Sequence, residues 1–336
     1  MSIKTAVIGV GSMGKNHARV YWEMPDVKLV GISDVNETMS GSIAKQYSSV
    51  SYKDYQQMLD EQKPDAVTIC VPTSLHVEIG LEVIKRGIHL LVEKPISCTV
   101  DEGILLIDAA EKAGVKLMIG HIERFNPAIT MLKGKLANGK LGKVFKVEAR
   151  REGPIPQRIN DVGVVIDLAV HDLDIIRYVT QKEITRVYAE TTKGIHSKYE
   201  DLMSGLIYLS DGTVGNLIIN WITPAKIREF SVTGELGMFK VNYITQDLFF
   251  YENSLLNQSE WATLGLLRGV GEGSIVHYHV NKKEPLRAEQ EAFLAAIRDD
   301  TVVPVTGQDG LHALELAQAL VTSGNENRLV FLNHNK

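Results

Sequence analysis

The sequence predicts an α/β chain in which a doubly wound parallel sheet is followed by an α/β domain built on a large, mostly antiparallel open sheet. Three observations predict it. Short β-branched apolar runs alternate with helical spacings through residue 120, a glycine-rich turn joins the first run to the first helix, and after His121 strand follows strand across tight turns. At 336 residues the chain is long enough for two domains with separate cores. The change of rhythm divides it into residues 1–122 and 123–336.

The runs Ile3–Ile8, Val27–Ile32, Ala66–Val71, Ile88–Val92 and Val115–Ile119 are continuous and apolar, as strands buried on both faces should be. A short strand at Val50–Tyr52, followed by a helix to Leu59, brings the sheet to six strands. Helical spacing occupies Gly14–Trp22, Met39–Tyr47, Val77–Arg86 and Val100–Lys112, and Gly87 supplies a helix stop. Strand alternating with helix is the pattern of right-handed crossovers.

In the second part a helix over Asn126–Leu136 leads through Asn138-Gly139 into a strand at Val144–Arg150, then into a loop, Glu152–Asp161, holding Pro154 and Pro156. A helix over Val164–Val179 comes next. Ile184 to Tyr251 reads as strands: Asp211-Gly212 separates Leu206–Leu209 from Val214–Trp221, and Gly234–Gly237 separates Phe230–Thr233 from Met238–Val241. Asn253–His279 is the least patterned stretch. Helices at Arg287–Arg298 and Leu311–Ser323 close the chain.

Composition narrows the function classes. Lys and Arg number 36 against 41 Asp and Glu, a net charge of −5, so the chain lacks the overall basic excess that supports nucleic-acid binding. Two cysteines, Cys70 and Cys98, argue against a disulfide framework or a thiolate zinc site and fit a reducing compartment. The start reads as mature protein without a secretory signal. The longest uncharged stretch, Gly212–Ala225, is broken by Asn216, Asn220 and Pro224 and falls short of the ~20 residues a membrane helix needs. The expectation is a soluble, cytoplasmic protein with no membrane and no nucleic-acid partner.

Gly9-Val10-Gly11-Ser12-Met13-Gly14 follows the first strand. In such a turn the first glycine allows the bend, the second lets the backbone approach a pyrophosphate, and the third packs helix on strand, so phosphates sit on the helix N-terminus. Asp34 ends the second strand 20 residues beyond Gly14, where a carboxylate accepts from adenosine ribose hydroxyls and repels a 2′-phosphate. With no Arg or Lys in Val35–Thr38, NAD is expected over NADP.

Pro72-Thr73-Ser74-Leu75-His76 and Glu93-Lys94-Pro95 fall at the carboxyl ends of parallel strands, the edge where doubly wound sheets take ligands. Lys94 is there either a solvated lysine or a ligand-side cation, and His76 either a locally satisfied helix residue or a cofactor contact. Asp167 and His171 lie four apart in a helix and share a face among apolar neighbours. They form a structural pair, a general base with its orienting acid, or part of a metal site; no metal is expected, because Asp172 and Asp174 point elsewhere on the helix. His277 and His279 read as structural.

Together these residues resemble the Gfo/Idh/MocA family of NAD(P)-dependent oxidoreductases. The resemblance covers essentially the whole chain. It rests on Gly9–Gly14 with Asp34, on Pro72-Thr73 with His76, on Glu93-Lys94-Pro95, on Arg124-Phe125-Asn126-Pro127, on Asp167 with His171, and on Pro304-Val305, Gly307 and Asp309-Gly310. It implies an NAD-binding Rossmann domain and a second domain whose open sheet forms a homo-dimer or homo-tetramer, with the active site between the two. It also implies a dehydrogenase acting on CH–OH groups. Lys94 would bond the reacting oxygen, His171 would take the hydroxyl proton, and Asp167 would hold His171.

Cofactor contacts are implied for Gly9, Gly11, Ser12, Met13, Gly14, Asp34, Pro72, Thr73, His76, Glu93 and Lys94. Substrate contacts are expected from Arg124, Asn126, Gln157, Arg158 and His171, whose amides and guanidinium groups suit sugar hydroxyls or a phosphate. The stretches around Gly120–Pro127 and Arg150–Gly163 are most similar to members that oxidise the 3-hydroxyl of UDP-N-acetylglucosamine or related nucleotide sugars. They depart from the common form in carrying Asp161 and Val162 where more glycines are usual. Free sugar or inositol oxidation is the alternative; an NAD-dependent glycosidase without net redox change and a non-catalytic NAD sensor come behind it.

Overall fold

The computed structural model describes residues 2–155, 162–195, 198–253 and 272–332. They form two compact units, one of Met1–Ile122 with Glu284–Glu315 and the other of Glu123–Lys283 with Leu316–Lys336. The expected domain of residues 123–336 is therefore not contiguous. The physical reason is the apolar face of a late helix, Pro285–Arg298, which buries Leu286, Gln290, Phe293 and Leu294 and packs on the first helix of the chain. Ile119 then donates its N–H to Val305 O at 3.2 Å.

In the first unit the strands are β1 (Ile3–Ile8), β2 (Val27–Ser33), β3 (Val50–Tyr52), β4 (Ala66–Ile69), β5 (His89–Glu93) and β6 (Leu117–Gly120). They are parallel, in the order β3-β2-β1-β4-β5-β6. Between them run α1 (Gly14–Glu23), α2 (Glu37–Gln46), α3 (Tyr55–Gln62), α4 (His76–Lys85) and α5 (Val100–Ala113). The order reverses between β1 and β4, so the loops leaving their carboxyl ends diverge and open a crevice. Local chemistry agrees with each boundary. Thr99 and Glu102 form a reciprocal capping box at the start of α5, and Gly114, at φ 66°, ends it in the left-handed region.

The second unit is built on nine strands among the described residues, in the order β14-β13-β12-β11-β7-β10-β9-β8-β15. These are β7 (Val144–Pro154), β8 (Ile184–Thr192), β9 (Leu202–Leu209), β10 (Val214–Asn220), β11 (Ile222–Gly234), β12 (Gly237–Asn242), β13 (Asp247–Asn253), β14 (Glu272–Tyr278) and β15 (Val330–Phe331). Only β7 with β10 is parallel; the other pairings are antiparallel. One face carries a core that includes Ile207, Leu217, Phe230, Phe239 and Phe250 together with Leu132 of α6 (Pro127–Ala137) and Ile176 of α7 (Val170–Thr180). The alternate residues Leu206 and Ile218 face outward and are exposed. The last two helices of the chain are α8 (Pro285–Arg298) and α9 (Gly307–Glu326).

Two local expectations change. Residues Glu152–Pro154, read as loop, extend β7, because Glu152 pairs with Ile227 and Pro154 with Ile222 across the ladder; Pro154 sits at the strand's end, where a missing N–H is tolerated. Pro156–Asp161 lie outside the described residues. The helix expected over Val164–Val179 is interrupted at its start by a π turn, Val165–Ala169, before α7. The unpatterned stretch contains residues 254–271, outside those described. Among the described residues no helix is long and apolar enough to cross a membrane.

Candidate active site

β1 delivers the chain into Gly9, at φ +82°, where a Cβ would lie 2.6 Å from Cys70 O. At Gly14 a Cβ would stand 1.8 Å from Gly9 O, so both positions require glycine. Gly11 is different: it is exposed, and its Cβ direction is open for 4 Å, which leaves a main-chain cradle for a phosphate. Ser12 is exposed too. Met13 precedes α1 without a capping side chain, and the first turn is closed by the main chain, Lys15 N donating to Gly11 O at 3.3 Å and Asn16 N to Met13 O at 2.8 Å. Asp34 ties the loop to β2. Its Oδ2 accepts from Val10 N and its Oδ1 from Asn36 N, both at 2.8 Å, so each oxygen keeps a lone pair for a ribose hydroxyl. The donor set fits a dinucleotide.

The ends of β4 and β5 are joined below this loop. Pro72 is exposed, and Thr73–Leu75 form a short 3₁₀ turn. His76 is buried, with Nδ1 2.9 Å from Pro95 O and Nε2 3.0 Å from Val71 O. Burial pushes its pKa down and outweighs the two carbonyls, so the neutral ring donates to one of them. His76 thus braces two strand-end loops, the locally satisfied of the two readings its sequence position allowed.

Glu93 closes β5. Its Oε1 accepts from His17 Nε2 at 2.9 Å and its Oε2 from Lys94 N at 3.2 Å. Burial raises the Glu93 pKa, but the His17 hydrogen bond, together with the charge and main-chain N–H of Lys94, holds it below the ordinary value. His17 Nδ1 lies 2.8 Å from Gln290 Nε2, on α8. Beside this chain Glu289 is fully buried, and neither carboxyl oxygen has a hydrogen-bond partner among the described residues. Desolvation, and then the Glu93 charge, raise its pKa well above the ordinary value. Of the two acids, Glu93 is the ionised one and Glu289 the protonated one.

The donor atoms of His17, Cys70 and Glu93 come within 4.8 Å of one another. They make a poor metal centre, because the His17 nitrogen facing Glu93 is already its hydrogen-bond donor. A cleft of about 980 Å³ lies elsewhere on this unit, walled by Ile3, Leu59, Lys63, Arg86, His89 and Arg298. It contains none of the expected site residues.

In the second unit the π turn carries Asp167, nearly buried, and His171, half-buried, follows in the first turn of α7. A π turn adds a residue to the helix and is a frequent feature of functional sites. Glu200 holds its start: its O accepts from Val164 N at 2.9 Å and its Oε1 from Val165 N at 3.2 Å.

Arg124, expected to meet the substrate, is paired with a buried carboxylate. Its Nε lies 3.0 and 2.8 Å from the Asp174 oxygens, its Nη2 bonds the same carboxylate, and the guanidinium stacks 4.9 Å from the Tyr178 ring. Asn126 is buried as the N-cap of α6, accepting from Ala128 N at 3.1 Å and donating to Tyr243 O at 3.0 Å. The contacts of both side chains lie within this unit. Gln157 and Arg158 lie outside the described residues.

Sequence reasoning missed Arg228. It is half-buried on β11, donates to the main-chain carbonyls of Glu152 and Ile227, and has no ion pair among the described residues. Desolvation, and then the neighbouring charge of Arg151, lower its pKa to about 10; Asp172, Glu123 and Asp167 oppose that. Arg151 itself is neutralised by Asp172 at 2.7 Å and Glu123 at 3.1 Å. An alternating strand pattern gives no signal for such a cation. His17 did leave one, as a polar residue on the buried face of α1 with Gly14, Ala18 and Tyr21.

Two family models match the chain. "Oxidoreductase family, NAD-binding Rossmann fold" covers residues 3–121, and the "GFO/IDH/MocA C-terminal domain" covers residues 129–240, together well over half the length. The chain belongs to the Gfo/Idh/MocA oxidoreductase family. Its first unit contains the family's NAD-binding Rossmann domain, in keeping with the glycine cradle and Asp34. Relatives in this family of sugar and inositol dehydrogenases include UDP-N-acetylglucosamine 3-dehydrogenase of Acidithiobacillus ferrooxidans, 29% identical across 94% of this chain and 95% of that protein. A solved structure of that enzyme superposes with a TM-score of 0.85 at 27% identity, covering 96% and 97% of the two chains. The myo-inositol 2-dehydrogenase of Thermotoga maritima is 31% identical over 56% of this chain and 58% of its own.

Three outcomes are expected. Asp34→Arg raises the NAD⁺ dissociation constant about tenfold or more, the loss of roughly one charge-assisted hydrogen bond; titration by tryptophan fluorescence checks it, and an unchanged constant would mean Asp34 does not meet the ribose. Arg124→Met takes the guanidinium away from the buried Asp174 carboxylate and costs about 3–5 kcal/mol in urea unfolding, with no selective loss of substrate affinity. Glu289 binds its proton more tightly folded than unfolded, so stability is full below the unfolded carboxyl pKa and is lost as pH rises through the folded one. Each pH unit in that window costs up to about 1.4 kcal/mol. Urea midpoints at pH 5 and pH 8 should therefore fall more for the wild type than for Glu289→Gln, and parallel slopes would refute the protonated assignment.

Proposed function

We propose that this protein oxidises a secondary hydroxyl of a nucleotide sugar, with UDP-N-acetylglucosamine and its 3-hydroxyl as the leading substrate, using NAD⁺. The observation that carries this reading is the end-to-end match to UDP-N-acetylglucosamine 3-dehydrogenase. An inositol 2-dehydrogenase of Rhizobium meliloti also matches end to end, over 98% of this chain and 99% of its own, at the lower identity of 25%. Arg228 supports an anionic substrate: a partly desolvated guanidinium held by carbonyls alone is suited to phosphate oxygens.

Bound NAD⁺ supplies the hydride acceptor. The chain's own groups handle the proton and the charge. His171 takes the hydroxyl proton as the alcohol carbon loses hydride, so the substrate becomes a ketone and the imidazole an imidazolium. Asp167 favours that cation and holds the ring. The Lys94 ammonium donates to the reacting oxygen, where negative charge builds as the proton leaves. Oxidation to the ketone, reduced nicotinamide and one proton on the enzyme balances without another reactant.

Incubation with NAD⁺ and a panel of UDP-N-acetylglucosamine, UDP-glucose, glucose and myo-inositol should give the fastest rise of reduced-nicotinamide absorbance with the first. A higher kcat/KM for myo-inositol would move the assignment to the inositol reading. His171→Ala should lower kcat by about 10²–10⁴-fold with NAD⁺ affinity retained. Arg228→Met should raise KM for the UDP-sugars about tenfold or more while leaving rates on uncharged sugars in place; an equal effect on both would remove Arg228 from phosphate recognition.

A further inference from the structure

His17 has two hydrogen-bond partners and only one way to satisfy them. The main-chain carbonyl of His17 can only accept, and Gln290 Nε2 lies 3.2 Å from it, so the amide nitrogen and not the amide oxygen faces the ring. The same nitrogen is 2.8 Å from Nδ1, which must therefore be the acceptor. The proton of the neutral imidazole is then on Nε2 and is donated to Glu93 Oε1 at 2.9 Å. The other oxygen of Glu93 accepts from Lys94 N. Donation thus runs from Gln290 through His17 to Glu93, and the Lys94 main chain donates to the same carboxylate from its other oxygen.

We propose that Gln290 is a positioning residue for Lys94, acting by fixing the His17 tautomer and so the Glu93 carboxylate to which the Lys94 main chain is bonded. The inference rests on the reading of Lys94 as the group that holds the reacting oxygen. Gln290 is fully buried, and its Oε1 makes no hydrogen bond among the described residues. Methionine would fill the same space without burying an unsatisfied oxygen, so packing alone gives no reason for an amide here. The donor does. With the proton on Nδ1 instead, Nε2 and the carboxylate would face each other as two acceptors, and Glu93 would be driven off the Lys94 N–H. Coupling through an imidazole whose tautomer is set by its second nitrogen is the general way a buried histidine is oriented.

The test compares wild type, Gln290→Met and Gln290→Glu. In ¹⁵N-histidine-labelled protein, long-range proton–nitrogen spectra report which ring nitrogen is protonated, the His17 signal being assigned by its loss in His17→Asn. Wild type should show a neutral ring protonated on Nε2, and Gln290→Glu a ring protonated on Nδ1. With NAD⁺ and the panel sugar of highest rate, kcat should fall about tenfold or more in Gln290→Glu and by less in Gln290→Met. The NAD⁺ dissociation constant should stay within about twofold. Should Gln290→Glu fail to fold, the wild-type spectrum and Gln290→Met decide. A wild-type His17 protonated on Nδ1 overturns the inference, as does wild-type kcat in both Gln290 variants when Lys94→Ala is inactive. Full turnover by Lys94→Ala overturns the role given to Lys94, and the proposal with it.

Discussion

The hydrogen bond between His17 and Glu93 joins the helix that starts at the glycine loop to the strand that ends at Lys94. A parallel sheet offers its loops along one edge only, and nothing in the strand ladders fixes how the loop after β1 stands relative to the loop after β5. A buried polar contact between them does. It holds because Glu93 stays ionised despite burial, and that in turn depends on a donor held in place from α8, nearly 200 residues further along the chain.

Around that contact the first unit is tightly specified. Asp34 reaches back to the Val10 N–H, so the residue suited to a ribose also sets the loop that would meet the phosphates. His76 braces the ends of β4 and β5, and the glycine cradle is closed at Gly9 and Gly14 but open at Gly11. The second unit uses charge in another way. Its cations Arg124 and Arg151 are neutralised in buried bidentate pairs, while Arg228 is left with carbonyls alone. Buried pairs of this kind organise helices.

The sequence motifs were legible where chemistry and local geometry coincide. The glycine turn, Asp34, Glu93-Lys94 and the Asp167/His171 spacing each require particular residues within a few positions of one another. The partners of Arg124 and Asn126 were not legible, for the opposite reason. A guanidinium or an amide is equally suited to a sugar or to a buried carboxylate, and only the distant positions of Asp174 and Tyr243 decide which it meets. The π turn was likewise invisible, because Val165–Ala169 has the composition of any buried helix.

By itself the sequence determined the parallel sheet, its order of strands and helices, the mostly antiparallel second sheet and the dinucleotide loop. These follow from hydrophobic period and turn chemistry, which act over a few residues. Tertiary structure alone decided that Glu284–Glu315 belong with the first unit, that β7 runs on to Pro154, and that His17, Glu93 and Gln290 form one directed chain. Those outcomes depend on pairing across 76 and 273 positions. Partners so far apart are chosen by packing and hydrogen-bond satisfaction in the folded interior, and no local pattern in the chain records that choice.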